Sequence, residues 1–149
     1  MVVIQTLIRN EMIREAFTMT YEYLRRYQGA WHTEDRPLFP GCMILDSNES
    51  KMNIEECETA GRDWSDQLDY TVLELEEELF LKKISDAVHH IPMSKGYIHD
   101  GTTCITEGPL IGLESRIRRI DRHKRLATIE MPGMQGRKIQ AGLEIYKKD

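Results

Sequence analysis

Long apolar runs are missing from this 149-residue sequence. Its longest, such as Cys42-Met-Ile-Leu45, fall far short of the ~20 residues a membrane-crossing helix needs, so no membrane span is expected. Cysteine is scarce: Cys42, Cys57 and Cys104 are odd in number and widely spaced. That fits neither a disulfide framework nor a zinc knuckle and points to a reducing cytoplasm. The opening stretch, Met1-Val-Val-Ile-Gln-Thr-Leu-Ile8, has no basic segment and no small-residue cleavage site, so a signal peptide is not expected. Internal repeats and low-complexity tracts are also lacking. So are HxH, CxxC and HExxH spacings, although His89, His90, His99, Asp100, Cys104 and His123 crowd ligand-type side chains into one region. Adjacent His89 and His90 in a strand would point to opposite faces, which argues against a shared ion. Cys104 has no oxyanion loop to support a nucleophile. No cofactor, metal or catalytic residue is expected, and a small metal-dependent hydrolase stands as the least favoured alternative.

The composition, 40% hydrophobic with a mean hydropathy of -0.50, can support the core of one ordinary domain or two small ones. Charge is distributed unevenly. Residues 1–92 hold 9 Lys/Arg against 18 Asp/Glu, whereas residues 93–149 hold 11 against 7. A change of sign along so short a chain suggests two modules with different partners.

Periodicity sketches the elements. Ile4, Ile8 and Met12, with Ile13 and Ala16 beside them, predict a helix over Arg9 to Ala16. Phe17, Met19, Tyr21 and Tyr23 alternate as on one face of a strand. Tyr27 to Pro37 reads as the tip of a long hairpin, and Leu38 to Asp46 as its return strand, broken at Pro40-Gly41. The acidic stretch 47–69 is weakly periodic, with a short helix over Ile54 to Ala60. Glu74 to Ile84 is a clearer helix: Leu75, Leu79, Phe80, Lys83 and Ile84 recur at three and four, and Glu76, Glu77 and Glu78 favour its N-terminal end. Ser85 to Pro92 reads as a linker. From Met93 onward, turn signals at Lys95-Gly96, Asp100-Gly101, Gly108-Pro109, 121–124, Pro132-Gly133 and Gly136 separate short strands with the rhythm of a small barrel. In the last of these, Ile139, Ala141, Leu143 and Ile145 share a face. Leu113, Ile117, Ile120 and Lys124 also fit an amphipathic helix; the turn residues on both sides favour a strand.

Within this last third lies a concentrated positive run: Arg116, Arg118, Arg119, Arg122, His123, Lys124 and Arg125. A solvated rim, with Glu114 and Asp121 as ion-pair partners, would account for it without a ligand. An anionic partner would account for it equally well, and nucleic acid is the first candidate, because arginines suit phosphate.

Gly108-Pro-Leu-Ile-Gly112, Ile117-Arg-Arg-Ile-Asp121 and Gly142-Leu-Glu-Ile-Tyr-Lys147, with Gly101 and Ile105 at the motif's start, resemble the KOW domain of NusG-type transcription elongation factors. Ile120-Asp-Arg-His-Lys-Arg125, with Met93-Ser-Lys-Gly96 upstream, is most similar to the LoaP-like paralogues linked to processive antitermination. Phe17 to Tyr23, Tyr27-Gln-Gly-Ala-Trp-His32 and Leu38-Phe-Pro-Gly41 resemble the second and third strands of the family's amino-terminal NGN domain. There the glycine is usually followed by an aromatic; here Cys42 follows it.

The resemblance implies an α+β protein with a partial ferredoxin-like NGN domain over residues 1–84, a linker over 85–92 and an SH3-like KOW barrel over 93–149. The NGN domain would be incomplete at its start: the family opens with a strand carrying a Trp-Tyr-type pair, and this chain is expected to begin inside the helix that follows. Met1-Val-Val-Ile4 is too short to replace a strand of ~5–6 residues and also supply helix. The implied function is non-enzymatic regulation of transcript elongation. Phe39, Pro40, Gly41, Cys42, Tyr21, Tyr23 and Phe17 would meet the clamp helices of RNA polymerase, and Arg116, Arg118, Arg119, Arg122, His123, Lys124 and Arg125 would meet nascent RNA. A termination factor or the small ribosomal subunit is a further implied partner, and the protein is expected to be a monomer. Strand aromatics are more often core than contact surface. A standalone KOW-type RNA-binding protein that does not engage polymerase is the main alternative, and the expected incomplete start of the NGN domain is its chief support.

Overall fold

The computed structural model describes residues 13–47 and 72–149. The chain forms two compact units, Met1–Thr18 with Cys42–Leu73 and Met19–Gly41 with Glu74–Asp149. Among the described residues it is α+β, with one α-helix and several sheets, and no helix there is long and apolar enough to cross a membrane. The helix expected over Ile54 to Ala60 lies outside the described residues.

In the first unit, β1 (Ile13–Phe17) pairs antiparallel with β4 (Ile44–Ser47), Phe17 opposite Ile44 and Ala16 opposite Leu45. This corrects the expected helix over Arg9 to Ala16 for its described part, since residues 13–16 are strand. Four-residue spacing of Ile13 and Phe17 suits either form, and pairing with a partner strand outweighs so weak a local preference.

The second unit opens with β2 (Thr20–Tyr27) and β3 (Ala30–Pro37), joined by Gln28 and Gly29 at φ 53° and 76°. Two successive positive φ values make the tight loop whose twist suits a hairpin. The return strand is therefore Ala30–Pro37. The expected return over Leu38 to Asp46 is corrected: only Ile44–Ser47 of its neighbourhood is strand, and that belongs to β4. The expected strand over Phe17 to Tyr23 is corrected in part: Phe17 ends β1 and β2 begins at Thr20, while Met19, just before β2, and Tyr21 and Tyr23 on it are buried in alternation as expected. α1 (Leu75–Ile84) forms where periodicity predicts, but its buried face is Glu77, Phe80, Leu81 and Ile84. Leu75 and Leu79, at 69% and 56% exposure, face away. The stretch 85–92 carries β5 (His90–Ile91), parallel to β2, and Ile91 is fully buried.

Five strands make up the remaining sheet: β6 (Ser94–His99), β7 (Thr102–Glu107), β8 (Ile117–Asp121), β9 (Leu126–Glu130) and β10 (Lys138–Lys148). Their order is β7-β6-β10-β9-β8, with β6 and β10 parallel and the other pairs antiparallel. Ile139, Ala141 and Leu143 of β10 are buried on the expected face. Between β7 and β8, a short 3-10 turn over Glu114–Arg116 leads into β8. The Glu114 carboxylate accepts the Ile105 N–H of β7 at 3.0 Å, holding the 3-10 turn against that strand. Gly108 sits where a β-carbon would lie 2.5 Å from the buried Ser94 hydroxyl. That hydroxyl accepts the Leu110 N–H at 3.1 Å.

The hairpin and the five-stranded sheet meet where β2 crosses β10. Glu22 accepts the Met93 N–H at 2.9 Å, and the Tyr21 hydroxyl donates to Gln140 at 3.4 Å. A β-carbon at Gly142 would lie 2.5 Å from the Glu22 carbonyl and 2.6 Å from the Met93 sulfur. Residues 19–41 thus share a compact unit with 74–149, a grouping that cuts across the expected segments. Gly142→Ala should lower stability by about 2 kcal/mol, the usual cost of overpacking a close contact. A melting temperature equal to wild type would show that β2 does not press on β10.

Candidate nucleic-acid interface

The positive run becomes a strand and a turn. Across β8 and β9, Ile117 pairs with Ile129, Arg119 with Thr128 and Ile120 with Ala127, so β8 has one residue too many between Ile117 and Arg119. That bulge at Arg118 puts Ile117 and Ile120 on one face despite their spacing of three. Helix-like spacing in a strand is the result, and Arg119 is left on the other face.

Residues 122–125 form the turn. The Asp121 carboxylate accepts the Lys124 N–H at 2.9 Å, and Arg125 closes the loop at φ 56°. The Lys124 N–H hydrogen bond holds the Asp121 carboxyl below its ordinary range, helped by the positive charges of Lys124 and Arg119. The sign follows: this stabilisation is complete above the ordinary carboxylate pKa and is lost as pH falls through the lowered one.

The seven side chains differ in what they can offer a ligand. Arg118 is spent internally: its guanidinium donates twice to Glu130, once at 3.0 Å through Nε, and at 2.6 Å to the Ser115 carbonyl. Arg125 lies 3.5 Å from Glu144, with its guanidinium carbon 3.7 Å from the centroid of the Trp31 ring. Arg116 is half-buried. Arg119, Arg122, His123 and Lys124 are exposed, and none makes a close ion pair with another described residue. An open cleft of about 540 Å³ lies alongside, lined by Thr102, Thr103, Glu114, Ser115, Arg118 and Arg119 among others.

The Trp31–Arg125 contact involves residues that periodicity and charge in the sequence do not single out together. Arg26 and Trp31 are cross-strand partners at the tip of the β2–β3 hairpin, and the Arg26 guanidinium carbon is 5.9 Å from the Trp31 centroid. On the hairpin's other face Tyr27 stacks on His32, centroids 3.7 Å apart, with Arg25 at 5.9 Å from the Tyr27 ring. Trp31 and Tyr27 are each 42% exposed. The signal was present in Arg25-Arg26 and Trp31-His32 on either side of Gln28-Gly29. A two-residue turn there pairs Arg26 with Trp31, whereas a long tip hides the pairing.

The aromatic set expected to meet polymerase is divided. Tyr21 and Tyr23 are buried, and Arg36 covers the Tyr23 ring at 3.7 Å. Phe39 is half-buried, while Pro40 and Gly41 are exposed, Gly41 at φ 74°. In the other unit, Phe17 is half-buried and Cys42 exposed. Tyr21 and Tyr23 therefore present no ring surface to a partner in this conformation.

Among the described residues, no three His, Cys, Asp or Glu side chains converge to hold a metal ion. His99 is engaged with Asp149 at 2.8 Å and His90 with Thr20 at 2.9 Å. No protein-family model matches this sequence, and no curated protein is significantly similar to it.

Proposed function

We propose that this protein is a non-enzymatic regulator of transcript elongation, similar to NusG-type factors and closest in kind to the LoaP-like antiterminators. In this reading residues 93–149 act as an SH3-like KOW barrel that contacts nascent RNA or another factor. The amino-terminal part acts as a ferredoxin-like NGN domain that tethers the protein to RNA polymerase. Tethering raises the local concentration of the RNA-binding surface without any new contact. The observation that carries the reading is the β8–β9 turn: Arg119, Arg122 and Lys124 project from a five-stranded sheet with no close ion pair to a described residue. Cations so placed serve phosphate binding better than they serve stability.

A second reading, RNA binding without polymerase contact, is favoured by the burial of Tyr21 and Tyr23. It leaves Phe39, Pro40 and Gly41 as the accessible part of the expected contact in this unit. Retention on immobilised core RNA polymerase separates the two. We expect the full chain to be retained, and Phe39→Ala to weaken retention about tenfold, as for an apolar anchor. RNA binding without retention on polymerase would replace the first reading with the second.

A further inference from the structure

We propose that the tip of the β2–β3 hairpin and the β8–β9 turn form one composite site for single-stranded RNA, in which a base stacks beside the Trp31–Arg125 pair while the turn's cations hold the flanking phosphates. The proposal rests on the RNA-binding reading above and names the part of the ligand recognised.

Three observations carry it. First, Trp31 is a large aromatic on a hairpin tip, 42% exposed, with two guanidinium groups near its ring: Arg125 at 3.7 Å and Arg26 at 5.9 Å. A ring anchored for structure alone gains by burying its apolar surface, whereas this one keeps a large share open. Second, Arg125 belongs to the basic turn. Its left-handed φ of 56° closes the loop that presents Arg122, His123 and Lys124, and its guanidinium lies over the indole. The stacking group and the phosphate-binding groups are therefore joined through one residue. Third, Glu144, 3.5 Å from Arg125, steadies that guanidinium and so the Trp31–Arg125 pair. A flat aromatic beside arginines and a basic rim matches an unpaired base with its backbone: stacking needs a free base face, which a duplex hides, and the rim supplies the electrostatic share.

The test uses the full-length chain and a fluorescein-labelled RNA oligonucleotide of mixed sequence without self-complementarity, with the same sequence as a duplex for comparison. Trp31→Ala should weaken single-strand binding about tenfold, the scale of one lost base stack, with an unchanged salt dependence, since no charge is removed. Trp31→Phe should stay within about threefold, because a smaller ring still stacks. Tyr27→Ala, on the hairpin's opposite face, serves as the control and should change little. Addition of the oligonucleotide should quench tryptophan fluorescence in wild type and not in Trp31→Phe. Wild-type affinity in Trp31→Ala, combined with loss of binding when Arg119, Arg122 and Lys124 are reversed, would overturn the composite site and leave RNA binding by the turn standing. Duplex bound as tightly as single strand would also overturn it. No binding of either RNA by wild type would remove the reading on which the proposal rests.

Discussion

Reversing three charges together, Arg119→Glu, Arg122→Glu and Lys124→Glu, is expected to weaken RNA binding by about 100-fold or more and to flatten its dependence on salt. Each of these side chains is exposed and makes no close ion pair with a described residue, so each is available for a phosphate. A charge-assisted contact contributes roughly 1 kcal/mol or more, and three of them account for about two orders of magnitude before any repulsion is added. Counterion release sets the second readout. With a slope of roughly 0.7 per phosphate contact on a single strand, losing three contacts should reduce the slope of log affinity against log salt by about 2. Arg118→Ala is the informative contrast. Its guanidinium is already held by Glu130 and the Ser115 carbonyl, so its loss should alter RNA affinity far less than the loss of Lys124. Anisotropy titrations over a range of KCl concentrations measure both effects, and thermal melts of the triple variant should match wild type. An unreduced slope in the triple variant would return the run to a solvated rim.

Legibility in the sequence followed how local the decisive interaction is. The helix over Leu75–Ile84 and the buried face of β10 were readable because short-range periodicity determines both. The helix's inward face is not legible in the same way: Leu75 and Leu79 look like core, while a carboxylate, Glu77, takes the buried position through a partner 60 residues away. Ile117 and Ile120 imitate a helix because a bulge shifts the register between them, a feature that only the partner strand β9 defines. The hairpin return is obscured for a smaller reason: Gln28 at φ 53° is an uncommon first residue for a tight loop usually opened by Asn, Asp or Gly. At the interface, the basic residues were visible as composition, but their division into held and available cations was not. That division depends on Glu130 and Glu144, which only the folded sheet brings to Arg118 and Arg125.

The largest loss of stability from a single substitution is expected at Glu77. Its side chain is buried against the segment joining β9 to β10. Oε1 accepts the Glu74 N–H and an Arg137 Nη1–H, both at 3.0 Å, and Oε2 has no hydrogen-bond partner among the described residues. The Glu74 carboxylate reaches the same segment, accepting the Met134 N–H at 3.0 Å, so two acidic residues at the start of α1 clasp one loop. Glu77→Ala removes a helix cap and leaves Arg137 partly buried without its counter-charge. Breaking a buried pair from one side costs about 3–5 kcal/mol, a large part of the roughly 5–15 kcal/mol that holds a domain folded. Glu77→Gln keeps an acceptor for both donors and should lose less, about 1–2 kcal/mol. The paired change Glu77→Leu with Arg137→Met should recover much of the loss, because it removes both charges and fills the space with apolar side chains. Urea denaturation of the four proteins decides the matter. If Glu77→Ala unfolds within about 1 kcal/mol of wild type, the carboxylate does not clamp the loop. If the paired variant is no more stable than Glu77→Ala, the damage comes from lost packing around α1 rather than from a stranded arginine.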